Sequence, residues 1–478
     1  MNQPETASVI SSKTEVSSAE YFAQRQLKQG TVGWLLLIGL GVAYVISGDF
    51  AGWNFGIAQG GWGGMFIATA LAAIMYLCLC LSMSEMSTMM PTAGGGYSFA
   101  RAAFGPFGGY LTGTAILIEY AIAPAAIAVF IGGYCESLFS INGWMIYLAC
   151  YAIFMGIHLK GAGEALKIMF AITLVAAVAL VVFIGAMIPH FKAQNLFDIP
   201  VGTGVGASHF LPHGYLGIWA AVPFAIWFFL AVEGVPLAAE EAKDPAKSLP
   251  RGLIGAMLIL TAFAMLILFL GAGAAGASTL QNSGAPLVDA LVKVYGTNTW
   301  LATFVNFVGL AGLIASFFSI IYAYSRQIFA LSRAGYLPTS LSLTNKNKAP
   351  YLAIIIPGII GFLLSLTKEG DSLILIAVFG ATISYVLILL SHIKLRLSKP
   401  DMPRPYKTPG GIVTSSIALV LAVAAVVAGF VVNPKVWFIA AAIYVVFIAY
   451  FLFYSRYHLV KGTPEEEFAN IKAAEQEL

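Results

Sequence analysis

Apolar residues in this chain form long runs that are separated by short polar or charged segments. A helix needs about 20 mostly apolar residues to cross a bilayer, and about twelve runs of this kind follow one another. The pattern predicts an all-α polytopic membrane protein with twelve transmembrane helices. The predicted spans are residues 32–58, 63–90, 107–135, 142–158, 166–189, 216–239, 252–276, 300–331, 351–366, 372–393, 411–432 and 436–456.

The composition excludes most soluble functions. Charged residues make up 10% of the 478 residues, whereas soluble domains carry about 25%. The net charge of +3 is too small to indicate a polyanionic partner, so we expect no nucleic-acid binding. Because no nucleophile–base pair and no metal-ligand spacing is recognisable, we expect neither an enzyme nor a bound cofactor or metal.

Lys and Arg residues are distributed unevenly between the two predicted sides of the membrane. With twelve spans, 21 of the 25 Lys and Arg residues fall on the side that holds both termini. Cytoplasmic loops carry such an excess, so we expect both termini in the cytoplasm. The polar residues before the first span contain no apolar core, and we therefore expect no cleavable signal peptide.

Four acidic residues fall within or near the predicted spans: Asp49, Glu85, Glu119 and Glu233. No Lys, Arg or central His accompanies them, so we expect them to lack basic partners within the protein. An ionisable group at membrane depth costs at least ~2.5 kcal/mol and usually marks a pathway or site. We therefore expect protonation or a bound cation to neutralise these acids, which favours a cationic cargo.

Asp49 lies near the middle of the first span, directly after Ser47 and Gly48, which weaken a helix locally. Gly48, Gly52 and Gly56 recur at every fourth position, which is typical of a helix contact face with a protonated, hydrogen-bonded Asp49. The alternative, which we favour, is a broken helix whose carboxylate and freed backbone groups line a central cavity.

Gly234 and Pro236 interrupt the sixth span beside Glu233. Paired interruptions in two halves of a chain are the best sequence indication of a transporter binding site. Glu233 either bonds the loosened backbone or contacts the cargo. Trp227 immediately precedes this break, and its ring either covers a bound cation as a gate or packs in the core.

Two further acids have alternative roles. Glu119 in the third span either faces the same cavity as Glu233 or bonds to a neighbouring helix. Glu85 lies near the cytoplasmic end of the second span, where a structural or gating role is expected.

Three segments resemble the motifs of the amino acid–polyamine–organocation (APC) transporter superfamily. Residues 91–101 resemble its P-x-x-G-G-x-Y segment, residues 240–251 its E-x-x-x-P-x-x-x-x-P-R block, and residues 331–338 the segment that closes the eighth span. The resemblance implies two inverted repeats of five helices, with helices 1 and 6 discontinuous, and two accessory helices. The implied divisions are a tail at 1–30, the repeats at 31–190 and 216–393, an outer loop at 191–215, accessory helices at 394–456 and a tail at 457–478.

Within the superfamily, residues 46–64, 118–124 and 228–234 look like bacterial ethanolamine permeases. This likeness implies uptake of a small amino alcohol across the bacterial inner membrane by alternating access. Related proteins carry a Gly-Ser-Gly-like loop that binds a carboxylate, whereas this chain has Ser47-Gly48-Asp49. Some relatives also carry a lysine in the fifth span, which residues 171–178 lack.

We therefore predict that Asp49 pairs with the ammonium of ethanolamine and that Ser47 or Glu233 bonds its hydroxyl. The membrane potential alone would accumulate such a cation, so a coupling ion is not required. The alternative is a sodium site that Ser316 and Ser319 complete with carbonyls of the first span. The predicted substrate-binding residues are Ile46, Ser47, Gly48, Asp49, Glu119, Trp227, Ala231, Val232 and Glu233, with Trp227 as the gate.

Other functions fit the same residues. One is an amino-acid or polyamine exchanger of the same fold, and another is a membrane receptor that senses amines without moving them. Choline is a further candidate cargo, although a quaternary ammonium needs an aromatic cage. Membrane lipid is an expected partner, and a homo-oligomer is compatible with the sequence.

Overall fold

The computed structural model describes residues 30, 32–139, 141, 143–297 and 300–460, and most of the chain in these ranges is helical. They contain no β-strand, only two isolated bridges. Most of the two predicted tails lies outside the described residues. In chain order the α-helices are α1 Trp34–Val45, α2 Ser47–Phe50, α3 Asn54–Met89, α4 Gly96–Phe139, α5 Gly143–His158, α6 Ala162–Met187, α7 Gly214–Trp227, α8 Pro245–Ala275, α9 Ala277–Leu280, α10 Pro286–Tyr295, α11 Trp300–Arg333, α12 Tyr351–Ser365, α13 Gly370–Ser398, α14 Ile412–Val432 and α15 Pro434–Phe453.

Nine helical segments of the described chain are long and apolar enough to cross a membrane. Three shorter apolar helices, α1, α5 and α12, coincide with the first, fourth and ninth predicted spans. The prediction of an all-helical protein with many apolar spans is confirmed. Twelve crossings, and the inverted-repeat relation between residues 31–190 and 216–393, stay predictions.

The first predicted span is interrupted. Helix α1 ends at Val45 and the single turn α2 follows. The backbone is then extended at Ala51 and has a positive φ of 96° at Gly52. Helix α3 begins directly afterwards and bends at Gly61, where φ is 68°. Glycine adopts such angles at low cost because it has no Cβ, so these glycines fix where the chain turns.

The sixth predicted span is interrupted as well. Helix α7 ends at Trp227, and Ala231 takes a left-handed conformation with φ of 78°. A 3₁₀ segment, Val232–Glu241, continues the chain and contains Pro236. Proline has no backbone N–H and clashes with the preceding turn, so an ordinary α-helix does not extend through this segment.

The outer helices present apolar side chains to their surroundings. Leu174 on α6, Val420 on α14 and Val446 on α15 are 58%, 68% and 68% exposed. Such continuous apolar exposure fits a lipid environment. The interrupted segments are enclosed by the other helices, with α1 packed on α8 and α2 on α11.

The prediction that Glu85 lacks a basic partner was wrong. Arg396 and Arg404 place guanidinium nitrogens 2.5 and 2.9 Å from its carboxylate. His392 lies 3.4 Å from the same carboxylate, and the N–H of Thr408 donates to it at 2.7 Å. The segment that follows α13 thus packs against the end of α3 through Arg404 and Thr408. These residues lie more than 300 positions from Glu85, so local sequence patterns do not predict the contact.

Two buried arginines lie in the last turns of α11. Arg326 and Arg333 are 3% and 2% exposed. Arg326 lies 3.0 Å from Glu241 and Arg333 lies 2.7 Å from Glu240. These ion pairs fasten the end of the 3₁₀ segment to α11 on the side that holds the predicted cytoplasmic termini.

Candidate functional site at two helix breaks

The two helix breaks contact each other directly. The indole N–H of Trp227 donates a hydrogen bond to the carbonyl oxygen of Ala51 at 3.0 Å. A Cβ added at Gly48 would lie 2.5 Å from the backbone oxygen of Trp227. Only a residue without a side chain allows so close an approach of two backbones, so Gly48 sets the distance between the breaks.

Helix α11 anchors the first break through Ser316. The hydroxyl of Ser316 donates to the carbonyl oxygen of Tyr44 at 2.6 Å and accepts from the hydroxyl of Ser47 at 2.8 Å. The hydroxyl of Ser319 contacts only carbonyls of its own helix in the described structure, those of Ala315 and Ser316, at 2.8 and 3.0 Å. Ser316 thus contacts the first break, whereas Ser319 bonds within α11, and the sodium site stays a prediction.

Asp49 is completely buried in the short helix α2. Neither of its carboxyl oxygens has a hydrogen-bond partner among the described residues, and no interaction there joins it to Glu119 or Glu233. An unpartnered buried carboxylate is costly. Asp49 therefore needs a proton or a cation that the described protein does not supply.

Glu119 and Glu233 form a second acidic position. Glu119 on α4 is fully buried and Glu233 is 3% exposed. The two carboxyl groups lie close enough to influence each other's charge. Neither oxygen of Glu119 has a hydrogen-bond partner among the described residues, and Asp49 shares no hydrogen bond with either acid there.

Tyrosines lie near Glu119 and Glu233, and no sequence pattern indicated them. Tyr120 donates to a carboxyl oxygen of Glu233 at 3.3 Å, and Tyr385 also interacts with Glu233. The hydroxyls of Tyr385 and Tyr76 lie 2.7 Å apart. Tyr120 adjoins Glu119 in the sequence and was recognisable on that ground, whereas nothing in the sequence linked Tyr76 and Tyr385 to this position.

The backbone carbonyls predicted to bind cargo already take part in local turns. The carbonyl oxygen of Ile46 accepts from the N–H of Asp49 at 3.1 Å, and that of Ala231 accepts from Gly234 at 2.9 Å. Ile46 is also the N-cap of α2, so its carbonyl oxygen takes part in the start of that helix, whereas the carbonyl oxygen of Ala231 accepts at the start of the 3₁₀ segment. Val232, whose N–H donates to Phe229 at 3.2 Å, opens the 3₁₀ segment beside them.

The aromatic side chains at the breaks are packed tightly. Trp227 is 3% exposed, and its ring meets Phe130 edge-on at 6.4 Å. Trp53 stacks on Phe228 at 5.6 Å. Trp227 is therefore held by a hydrogen bond and by packing, and its role as a gate stays a prediction.

The site as a whole is negatively polarised. Three buried acids, Asp49, Glu119 and Glu233, lie at the breaks or beside them, and within the described ranges none of them forms an ion pair with Lys, Arg or His. Arg326, which contributes to the field at Tyr44, is already bound to Glu241. Such an arrangement attracts cations and protons and repels carboxylates.

Known proteins resemble this chain over most of its length. A family model described as amino acid permease matches residues 32–453. The branched-chain amino acid permease BcaP of Bacillus subtilis is 28% identical over 407 residues, which cover 80% of this chain and 84% of the relative. An uncharacterized transporter of Rhizobium meliloti is 27% identical, with 80% and 83% covered. The aromatic amino acid transport protein AroP of Escherichia coli is 25% identical, with 79% and 84% covered.

Proposed function

The chain belongs to the amino acid permease family, and we propose that within this family it imports protonated ethanolamine, or a similar small organic cation, across the bacterial inner membrane. The single observation that carries this proposal is Asp49, which is fully buried at the first break without a hydrogen-bond partner among the described residues. An ammonium group supplies the missing positive charge.

The chemistry of ethanolamine fits the groups at the breaks. Its ammonium pairs with Asp49 in a charge-assisted contact, which gains strength in a low-dielectric environment. The remaining N–H donors bond to backbone carbonyls at the two breaks, with Ala231 the candidate in the sixth span. Its hydroxyl bonds to Ser47 or Glu233. A substrate with a carboxylate would place a second negative charge among three buried acids, and this disfavours a zwitterionic amino acid.

The membrane potential is sufficient to drive uptake of such a cation. Each positive charge that enters a cytoplasm at −100 mV gains ~2.3 kcal/mol. At 1.36 kcal/mol per tenfold change, this corresponds to roughly 50-fold accumulation. Closure of the outer side by Trp227 would complete one step of alternating access.

Counterflow in liposomes tests the cargo. The purified protein is reconstituted with unlabelled ethanolamine inside, and entry of labelled ethanolamine is followed in the presence of choline, alanine, leucine, arginine or putrescine outside. We expect labelled ethanolamine to enter, and we expect alanine and leucine not to compete with it. Counterflow also tests the receptor alternative, because a receptor that binds amines without moving them gives none.

The variant Asp49→Asn tests the ammonium pairing. It removes the charge and keeps the shape, so we expect binding of ethanolamine to weaken by at least tenfold. The matched control is Asp371→Asn, which changes an exposed aspartate in the first turn of α13. Normal transport with normal affinity in Asp49→Asn would eliminate the proposed pairing.

A second candidate function is amino acid transport, because similar proteins are named as branched-chain and aromatic amino acid permeases. Under this alternative Asp49 is protonated and leucine or phenylalanine drives counterflow. The competition panel, with phenylalanine added, separates the two functions in one experiment.

A further inference from the structure

The segment that joins α13 to α14 is folded around one arginine side chain. One terminal nitrogen of Arg404 donates to the carbonyl oxygens of Pro400 and Met402, both at 2.8 Å. The other terminal nitrogen donates to the carbonyl oxygens of Leu395 and Lys399, at 3.2 and 2.9 Å. A guanidinium group carries five N–H donors in a fixed plane, so Arg404 holds the end of α13 and the start of the segment together.

The same segment is bound to the end of α3. The third nitrogen of Arg404 donates to the carboxylate of Glu85 at 2.9 Å, and this carboxylate also accepts from the N–H of Thr408 at 2.7 Å. The hydroxyl of Thr408 donates to the carbonyl oxygen of Leu81 at 3.0 Å. The segment is therefore fixed near both of its ends, and these bonds hold its backbone in one shape.

Three lysines extend from this fixed backbone. Lys394, Lys399 and Lys407 are exposed, and none of them forms an ion pair in the described part of the chain, where the ion pairs of this segment involve its arginines. Lys394 and Lys407 each precede a residue that is bonded to Arg404 or to its carboxylate partner. Between residues 394 and 411 only Asp401 carries a negative charge. The three ammonium groups thus start from one small, positively charged area.

Apolar side chains beside the lysines face the surroundings as well. Leu390, Lys394 and Leu397 share one face of α13, because they are four and three positions apart, and Leu397 is 69% exposed. The ammonium of Lys394 lies 4.6 Å from the ring centre of Phe104 on α4, which is also exposed. Helix α13 is long and apolar enough to cross a membrane, so this face leads from the apolar interior of a bilayer to its charged boundary.

An anionic lipid matches both properties of this area. Its phosphate group pairs with exposed cations, and its acyl chains cover the exposed apolar side chains directly beside them. Lysine side chains extend along apolar surface and place the ammonium among headgroups. A nucleic acid or an acidic soluble protein would pair with the lysines but would leave Leu390 and Leu397 without an apolar partner, so the combination favours a lipid.

We propose that this surface binds an anionic phospholipid. The surface consists of Lys394, Lys399, Lys407, Leu390 and Leu397. The lipid phosphate lies among the three ammonium groups, and one acyl chain follows the exposed face of α13. The backbone already holds its shape before the lipid binds, so little conformational entropy is lost on binding. The proposal goes beyond the proposed function, because it does not depend on which cargo is carried.

Thermal stability tests the proposal with two lipids that differ in their headgroups. The purified full chain in a neutral detergent is titrated with dioleoyl phosphatidylglycerol, which is anionic, or with dioleoyl phosphatidylcholine, which has the same acyl chains and no net charge. A ligand that binds only the folded protein raises the melting temperature. We expect phosphatidylglycerol to raise it to a plateau and phosphatidylcholine to leave it nearly unchanged. Equal shifts with both lipids would overturn the proposal.

A triple variant, Lys394→Gln/Lys399→Gln/Lys407→Gln, tests the lysines. A lysine near an anionic surface contributes about fivefold, or ~1 kcal/mol, so we expect the affinity for phosphatidylglycerol in the same titration to fall at least tenfold. Replacement of the same three lysines by arginine keeps the charge and should keep the affinity. Unchanged affinity in the glutamine variant would overturn the site. If that variant does not fold, the comparison of the two lipids with the unmodified protein still decides.

The matched control removes the same charge elsewhere. Lys192→Gln/Lys293→Gln/Lys435→Gln changes three exposed lysines that lie far apart in the sequence, and we expect it to keep the affinity of the unmodified protein. An equal loss of affinity in both glutamine variants would overturn the site, because the lipid would then respond to net charge alone.

Soluble phosphate compounds distinguish a lipid site from a site for free phosphate. Inorganic phosphate and glycerophosphoglycerol, which is the lipid headgroup without acyl chains, are added at the concentration at which phosphatidylglycerol reaches its plateau. We expect neither to raise the melting temperature. A shift as large as that of the lipid with either compound would overturn the lipid site. All of these measurements read binding and stability, so failure of ethanolamine counterflow leaves their outcome unaffected.

Discussion

The indole N–H of Trp227 bonds to the carbonyl oxygen of Ala51 across 3.0 Å. These residues lie 176 positions apart in the chain, one at the end of α7 and the other just after α2. The bond joins the two interrupted segments at the point where each leaves helical geometry. Movement of either segment during transport therefore breaks the bond or carries the other segment along.

Removal of this bond should weaken cargo binding without loss of the fold. Trp227→Phe keeps an aromatic ring but loses the N–H, and a net hydrogen bond contributes about 1 kcal/mol. We expect the KM for ethanolamine uptake to rise about fivefold, as measured by initial uptake rates. Trp219→Phe is the control, because Trp219 lies on the same helix and is 42% exposed. An unchanged KM in Trp227→Phe would show that the hydrogen bond does not affect cargo binding and that Trp227 serves only in packing.

A methyl group at Gly48 should separate the breaks. The Cβ of Gly48→Ala would lie 2.5 Å from the backbone oxygen of Trp227 and 3.2 Å from the Cα of Phe228, and backbone atoms have little freedom to move. We expect loss of uptake by at least tenfold. The comparison is Gly185→Ala on α6, where a Cβ meets nothing within 4 Å. Size-exclusion chromatography of fluorescently tagged protein separates loss of folding from loss of transport.

The serines of α11 should contribute unequally. Ser316 connects the carbonyl of Tyr44 with the hydroxyl of Ser47, so Ser316→Ala leaves buried polar groups without a partner, which costs about 1–3 kcal/mol. Ser319→Ala removes a hydroxyl that bonds to its own helix. We expect the first variant to lower uptake several-fold and the second to be nearly neutral.

Replacement of sodium by potassium tests the predicted sodium site in the same uptake assay. Because Ser319 bonds within its own helix, we expect uptake to be unchanged by this replacement. A sodium requirement that disappears in Ser316→Ala would instead establish the site.

Glu85→Gln should destabilise the protein. It leaves Arg396 and Arg404 without their carboxylate, and breaking a buried ion pair costs about 3–5 kcal/mol. The side chain of Arg396 is 23% exposed, so we expect the loss of folding free energy to be below that range. The measurement is the melting temperature in detergent, which should fall. Asp244→Asn breaks an exposed ion pair with Lys247 and should have almost no effect, since surface pairs contribute about 0–1 kcal/mol. Equal melting temperatures of both variants would contradict the structural role of Glu85.

The interruptions of the first and sixth spans were predictable because their causes are local. Gly48, Gly234 and Pro236 disfavour a helix through their own backbone chemistry, so they indicate a break wherever they fall in the fold. The burial of Asp49 followed from its place in a long apolar run. The exact turning point at Gly52 was not predicted, since several glycines nearby have the same conformational freedom.

The partners of the acids were not predictable, and for Glu85 the prediction failed. Its arginine Arg396 is 311 residues away in the sequence, and the paired hydroxyls of Tyr76 and Tyr385 are separated by 309. No local pattern encodes such contacts. The same limit explains why the sequence left open whether Glu119 and Glu233 contact the cargo, and the grouping of Asp49, Glu119 and Glu233 in one cargo site stays a prediction.

The amino-acid sequence by itself determined that this is a helical membrane protein with acids at membrane depth and two weakened spans. Those properties follow from the apolar runs and from the backbone chemistry of individual residues, which act within a few positions. Only the tertiary structure decided which acid faces a base, which faces another acid and which faces neither. That choice depends on how distant helices pack, because a charge in a low-dielectric interior is governed by its neighbours in space.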